Sequence, residues 1–500
     1  MLAATGVGGG DLATGTFVGS LLGTAVLWAV VLGAFLKFVV TEGLARWQLV
    51  TGDTFLEGLV HRVGPPVLWV FLPFLLLWSF FVGSAQMSAC GVALYALFPV
   101  FEDPDQGKIV FGMVTSIIGI GLVIRGGYRL FEQIMRICIA IMFVTVVVTA
   151  VVLWPGTGVV LQGLFIPTIP DFDGIGLTWT VALIGGVGGT LTVLCYGYWL
   201  REDGRVSSDD IWACRIDLGA GYVMTAIFGI AMVIVGSNVE IEGQGTTMLV
   251  TLAERLEEPL GVWGKWLFLI GAFGAVFSSL LGVWQSVPYL FADCWRLLFL
   301  EPTNVAETFK KEKVTRIEKT KTSSTMINVI GVCVAVVLYI LSNMLGLPNM
   351  LGLSSNGMMA VIIGICGGFC WLLTHGVLET PPAPAEHKKT AAEFEEVKIE
   401  RVNSKAPFMI DTSALPYRSF LVILGVVPMV GLFWGFQQVQ KLYTVTGALF
   451  FPFLVLALLI WNGRSDWIGV QFKNRPITTI ALAGILLFFT SLAARTIFGI

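Results

Sequence analysis

The feature that most constrains this chain is a succession of apolar stretches, each close to membrane-spanning length, joined by short polar segments. A hydrocarbon core about 30 Å thick needs roughly 20 helical residues to cross it. Stretches meeting that requirement are 19–40, 66–98, 109–127, 136–155, 177–199, 217–237, 264–292, 326–345, 356–376, 418–437, 442–462 and 477–496, with a shorter, glycine-broken one at 1–17. Inside lipid no water is present to bond a stray backbone N–H or C=O, so each stretch is expected to close its hydrogen bonds as a helix. Charged residues make up 13% of the chain, against roughly 25% in a soluble domain. The expected class is therefore an all-α integral membrane protein.

Cytoplasmic loops collect Lys and Arg, which makes the span count testable from charge alone. With the N-terminus inside, the inner loops hold Arg46 and Arg62; Arg125, Arg129 and Arg136; Arg201, Arg205 and Arg215; then Arg296 and the lysines that follow it; and finally Arg464, Lys473 and Arg475. The outside keeps Lys108, Arg255, Lys265, Lys441 and Arg495. This asymmetry supports thirteen crossings, N-terminus inside and C-terminus outside, and the expected location is the cytoplasmic membrane of a prokaryote. The chain opens MLAATGVGGGDLATG, without a basic start or an apolar h-region, so no cleavable signal peptide is expected.

A net charge of -3 provides no basic face for nucleic acid. The eight cysteines fall mostly in apolar runs and read as packing residues. Cys366 and Cys370 share a helix face but have no third ligand nearby. His61, His375 and His387 sit at or beyond cytoplasmic helix ends, so no histidine proton relay is expected. No Ser/His/Asp grouping, phosphate loop or metal-ligand cluster suggests an enzyme. Two loops, 301–324 and 379–407, are charged and mixed in sign, and are expected to be cytoplasmic and open to a soluble partner. They bracket a hairpin, 326–376, whose removal leaves the parity of the other spans unchanged.

Two spans carry glycine clusters: GVGGGDLATGTFVG in the first and GGVGGTLTVLCYGYW at 185–199. Each glycine costs a helix about 1 kcal/mol relative to alanine. Close packing through small residues explains one such cluster. Two clusters five spans apart match transporters built from inverted repeats, where a broken helix in each repeat turns freed backbone groups toward a midplane site. The repeats then occupy 1–155 and, in two pieces, 177–292 with 418–462; the insertion is 301–407 and the final span 477–496. Spans 66–98 and 264–292 are both unusually long, and carry polar residues that apolar packing does not need: Ser84, Gln86 and Ser88 in one, Ser278, Ser279, Gln285 and Ser286 in the other. Asp11, directly after the first glycine run, is an ionisable residue inside a span and so a candidate for substrate or ion binding; capping the second half-helix uses the same position. The candidate site comprises Gly8, Gly10, Asp11, Gly189, Thr190, Thr192 and Tyr196. Ser278 and Ser279 form a candidate second cation site, and Gln86, Ser88, Gln285 and Thr444 an auxiliary polar lining.

The ordered segments GDLATGTFVGSLLGTAVLWAVVLGAFLKF, EGLARWQLVTG, LFLIGAFGAVFSSLLG and FPFLVLALLIWNGRSDWIGVQFKNRPITT resemble the NRAMP divalent-metal transporters and their magnesium-transporting relatives. The likeness is collinear over the spans outside the hairpin. It implies a five-plus-five inverted repeat like that of amino-acid transporters, with helices 1 and 6 broken, and movement of Mn²⁺, Fe²⁺ or similar ions. Family members carry Asp-Pro-Gly-Asn in the first helix, where this chain has Gly8, Gly9, Gly10 and Asp11. The family's Met-Pro-His in the sixth helix is replaced by Thr192, Val193 and Leu194. Losing the soft methionine sulfur leaves oxygen donors, which suit hard ions such as Mg²⁺. Third-helix acidic positions of the family's proton pathway align with Ala85 and Ser88, so proton coupling by that route is not expected.

The leading expectation is a monomeric secondary transporter of a hard, partly hydrated divalent cation, Mg²⁺ first and Mn²⁺ second, with Asp11 and Thr192 as metal ligands and no cofactor. A divalent ion of this kind normally keeps its waters and uses one or two carboxylates, so a single Asp11 is a thin ligand set. An alternative is a sodium-coupled symporter of a small organic substrate, its carboxylate on glycine-freed N–H groups and Na⁺ at Ser278 and Ser279. A second alternative is a non-transporting receptor or scaffold that uses the inserted loops.

Overall fold

The computed structural model describes residues 9–172, 175–186, 188–189, 191–238, 247–300 and 409–498. These belong to one unit, Met1–Pro302 with Pro407–Ile500. The hairpin expected at 326–376, with Cys366 and Cys370, and the charged loops beside it lie outside the described residues, as do Gly8 and Thr190.

Among the described residues all regular structure is helical. Helix α1 (Gly9–Leu22) ends in a 3-10 turn, Gly23–Val26, and α2 (Leu27–Thr51) follows. Gly23 has φ +66°, a left-handed conformation that glycine adopts without a steric cost. The turn displaces the second span from its expected 19–40 and carries it on to Thr51. Arg46, expected in a loop, is instead buried within α2. Helix α3 (Phe55–Val63) opens on a capping box, with Thr54 Oγ1 accepting from the Glu57 N–H and the Glu57 carboxylate accepting from the Thr54 N–H.

Helix α4 (Pro66–Leu97) is the long third span, and α5 (Pro104–Val152) is a continuous helix where two spans were expected. RGGYRLFEQIMR, between those spans, contains no proline to stop the backbone ladder. The packing is nevertheless that of two arms. Gly119 lies against Leu280 and Trp284, whereas Thr145 lies against Gly271. A straight helix from 119 to 145 would extend about 39 Å, yet 271 to 284 covers only about 20 Å. The helix therefore bends between its arms. Helix α6 (Thr157–Phe165) leaves the second arm at 116°.

Helix α7 (Ile175–Gly186), a 3-10 turn at Leu191–Cys195, and α8 (Tyr196–Glu202) together make the sixth span. Helix α9 (Ile211–Gly236) runs antiparallel to α2: Val30 packs on Gly229, Phe38 on Gly219, and Thr41 bonds Tyr222. Helix α10 (Met248–Trp295) is broken at Gly261 and ends in a π turn, Arg296–Leu300. Helices α11 (Leu415–Val426), α12 (Phe436–Trp461), α13 (Ser465–Ile468) and α14 (Pro476–Phe498) complete the unit.

Seven helical runs among the described residues are long and apolar enough to cross a membrane, or eight with the bent α5–α6 pair, and shorter apolar helices lie at Phe450–Trp461 and Pro476–Leu487. Leu12–Thr51 counts there as one run although it turns at Gly23. Of the thirteen expected crossings, 326–345 and 356–376 lie outside the described residues, and among the described residues the others do not all appear as separate straight helices. Ile117, Val144, Trp212 and Val223 are exposed, whereas Ser84, Ser88 and Ser278 are fully buried. Apolar outside and polar inside is the arrangement lipid imposes. The chain is an integral membrane protein.

Candidate functional site

The second glycine cluster breaks its helix as expected. Helix α7 stops at Gly186, Gly188 and Gly189 take φ +75° and +83°, and the chain resumes as the 3-10 turn that contains Thr192. A side chain on Gly188 would also strike the Tyr222 ring, 2.8 Å from an ideal Cβ. The last carbonyls of a helix have no partner within it. Here the Gly189 N–H bonds the Gly186 carbonyl at 3.1 Å, which leaves the Gly185 carbonyl without its usual i+4 donor.

That partner is Lys37. Its ammonium donates to the Gly185 carbonyl at 2.9 Å and to the Gly189 carbonyl, and it lies 4.3 Å from the centre of the Phe451 ring. Lys37 is 1% exposed, in the middle of α2. Close approach of α2 makes the reach feasible. Gly33, one turn earlier, packs so tightly on α7 that a Cβ would come within 2.9 Å of the Ile184 carbonyl. The ammonium is favoured by the negative end of the α7 dipole, worth up to about 2 kcal/mol when partly buried, and by the ring face. It also defines the electrostatics of the break. A unit charge and a divalent ion 4 Å apart repel by about 8 kcal/mol at an effective dielectric constant near 20.

Other elements converge on the same break. Gly186 faces Thr444 of α12, whose Cγ2 is 3.5 Å from an ideal Cβ on Gly186, and Thr14 of α1, whose Oγ1 is 3.8 Å away. Gln440, Thr444 and Phe451 share one face of α12, at spacings of four and seven residues. Gln440 is 1% exposed; its Nε2 donates to the Ala85 carbonyl at 2.9 Å, and its Oε1 is a buried acceptor with no partner. Thr444 Oγ1 is spent on its own helix, donating to the Gln440 and Lys441 carbonyls, both at 3.0 Å.

The remaining expected residues divide. Gly10 and Asp11 have helical backbone in α1, so Asp11 is not the extended residue that capping requires; its side chain lies outside the description. Thr192 is buried beside the break. The Tyr196 hydroxyl donates to Asp217 Oδ2 at 3.1 Å, which ties it to α9. Gln285 Oε1 accepts from Trp199 Nε1 at 2.7 Å, and its Nε2 donates to the Tyr289 hydroxyl at 3.3 Å, making it a brace between α8 and α10. Gln86 and Ser88 are buried on α4, each with an unpartnered oxygen, Oε1 and Oγ. Ser278 and Ser279 are buried on α10, and Ser278 Oγ donates to the Ala275 carbonyl at 2.8 Å. Lys37, Thr14 and Gln440 were missed; a lysine flanked by apolar residues was the available signal.

A second polar centre lies at the far end of α8. Arg201 donates to Glu57 Oε2 at 2.6 Å, Arg296 pairs with Glu57 Oε1 and with Asp293 Oδ1, and Tyr198 and Thr54 donate to Asp293 Oδ2 at 2.6 and 3.0 Å. Burial by itself would raise the Glu57 pKa, but the guanidiniums of Arg201 and Arg296 outweigh it and hold the carboxyl below its usual range. Two carboxylates and two guanidiniums thus join α3, α8 and the end of α10. Among the described residues no group of three or more His, Cys, Asp or Glu side chains is gathered to hold a metal.

The family model described as natural resistance-associated macrophage protein-like, Nramp, matches residues 1–346. An uncharacterised protein of Pasteurella multocida is 24% identical over 301 residues, 57% of this chain and 66% of that protein. Natural resistance-associated macrophage protein 1 of Bos taurus is 31% identical over 182 residues, 35% of this chain and 31% of that one. The matched stretch thus spans under two thirds of either relative. The crystal structure of the Eremococcus coleocola manganese transporter with an aromatic bis-isothiourea compound superposes with a TM-score of 0.53 at 13% identity, covering 98% of this chain and 83% of that one. A single-residue variant of the same transporter gives 0.54 at 14%, covering 100% and 86%. The fold is the inverted-repeat transporter fold, with the sixth helix broken.

Proposed function

This chain belongs to the Nramp family, and on that premise we propose that it is a secondary transporter carrying a divalent cation through the break between α7 and α8. The observation that carries this reading is the bond from Lys37 to the Gly185 and Gly189 carbonyls: buried oxygens freed by the break already hold a cationic group. Thr192 lies buried beside them, Gln440 Oε1 is an unpartnered buried acceptor on the α12 face that carries Thr444, and Asp11 is the carboxylate the sequence offers. An all-oxygen set favours a hard ion that keeps several waters, Mg²⁺ ahead of Mn²⁺. The repeats are assigned to 1–155 and to 177–292 with 418–462, the insertion to 301–407, and the membrane to the cytoplasmic membrane of a prokaryote, N-terminus inside.

Uptake of Mg²⁺ and Mn²⁺ into proteoliposomes tests the proposal. Saturable uptake of at least one ion is expected, reduced tenfold or more by Asp11→Ala. No uptake of either ion, or uptake indifferent to that substitution, would overturn the ligand assignment.

Lys37 also favours a second reading. A fixed positive charge at a helix break suits a small organic carboxylate, and the chain would then be a sodium-coupled symporter with Na⁺ at Ser278 and Ser279. Thermal stabilisation by Na⁺, with indifference to Mg²⁺ and Mn²⁺, supports this alternative.

A further inference from the structure

We infer that Lys37 is a built-in cation that occupies the acceptor oxygens of the helix break, so that a transported ion binds only by displacing its ammonium. The inference rests on divalent transport as proposed above and adds the residue that sets the affinity.

Three observations lead to it. The two carbonyls that Lys37 bonds are those set free where α7 ends and the left-handed pair Gly188 and Gly189 begins, so the ammonium and an incoming ion need the same oxygens. Strong mutual repulsion prevents both from staying there. Finally, the two carbonyls are dipoles and Phe451 offers a ring face, groups that serve any cation of suitable size. The lysine stem has rotatable bonds enough to withdraw its head without moving α2. The competing account is a purely structural one, in which Lys37 only caps the end of α7. The two accounts differ in sign. Removing a competitor tightens ion binding, whereas removing a cap loosens the break and weakens it.

The experiment measures Mg²⁺ and Mn²⁺ binding to the full-length purified protein by calorimetry, in wild type, Lys37→Gln, Lys37→Met and Lys37→Arg, with uptake measured in parallel. Lys37→Gln removes the charge and keeps an N–H donor, so it guards against misfolding of the methionine variant. The expected result is at least tenfold tighter binding of one ion in Lys37→Gln, with Lys37→Arg remaining as weak as wild type. Wild-type uptake combined with unchanged or weaker binding in a folded Lys37→Gln protein would overturn the inference and leave the transport proposal standing. Binding in Lys37→Gln without wild-type uptake would do the reverse, supporting Lys37 as the occupant and removing the proposed activity. Absence of binding in every folded variant would overturn both.

Discussion

The two polar centres of the sixth span, one at the α7–α8 break and one at the far end of α8, solve the same problem, a buried cation, in different ways. Arg201 and Arg296 are met by carboxylates, Glu57 and Asp293, with Tyr198 and Thr54 completing the shell. Lys37 is met by the backbone carbonyls of Gly185 and Gly189 and by the Phe451 ring. Carboxylates carry a full charge and fix both partners, because separating them leaves a buried ion uncompensated. Carbonyl dipoles carry only partial charge, and they accept a lysine or a metal ion alike. The first arrangement is a fastening and the second is an exchangeable site, both on one broken span.

The largest break in this comparison comes from Glu57→Ala. It leaves two buried guanidiniums short of a carboxylate, and removing one partner of such a network costs about 3–5 kcal/mol. A marked fall in the thermal midpoint of the detergent-solubilised protein is expected; a shift within experimental scatter would show that the cluster does not fasten α3, α8 and α10. A smaller effect sharpens the other side. Gly188→Ala puts a Cβ at φ +75° and against the Tyr222 ring, for which strain of about 1–3 kcal/mol is expected. Because Gly188 lies between the bonded carbonyls, ion binding should weaken more than stability does. Equal loss in both would mean that the break is ordinary packing.

Much of this architecture was legible in the residues. Span-length apolar runs imposed helices because lipid leaves no alternative, and the glycines at 185–189 marked the break because few other residues tolerate positive φ twice in succession. Part of the first cluster is packing. A side chain on Gly19 would collide with the Val233 carbonyl of α9, 2.3 Å from an ideal Cβ. The role of Lys37 was hidden by one turn. Without the turn at Gly23, hydropathy ends the second span at residue 40 and leaves Lys37 at a helix end, where it needs no explanation. Tyr196 and Gln285 read as site lining because their partners, Asp217 and Trp199, lie 21 and 86 residues away. Periodicity carries no information on such pairs. The two arms of α5 were legible as separate apolar runs, 109–127 and 136–155; hidden was their continuity, since the segment between them contains no proline and the helix bends instead of ending.

The most direct test of an exchangeable site at the break is to locate the ion. Anomalous diffraction from crystals of Lys37→Gln grown with Mn²⁺ should give a peak within about 2.5 Å of the Gly185 and Gly189 carbonyl oxygens. A strong peak beside Glu57 and Asp293 with none at the break would contradict this account.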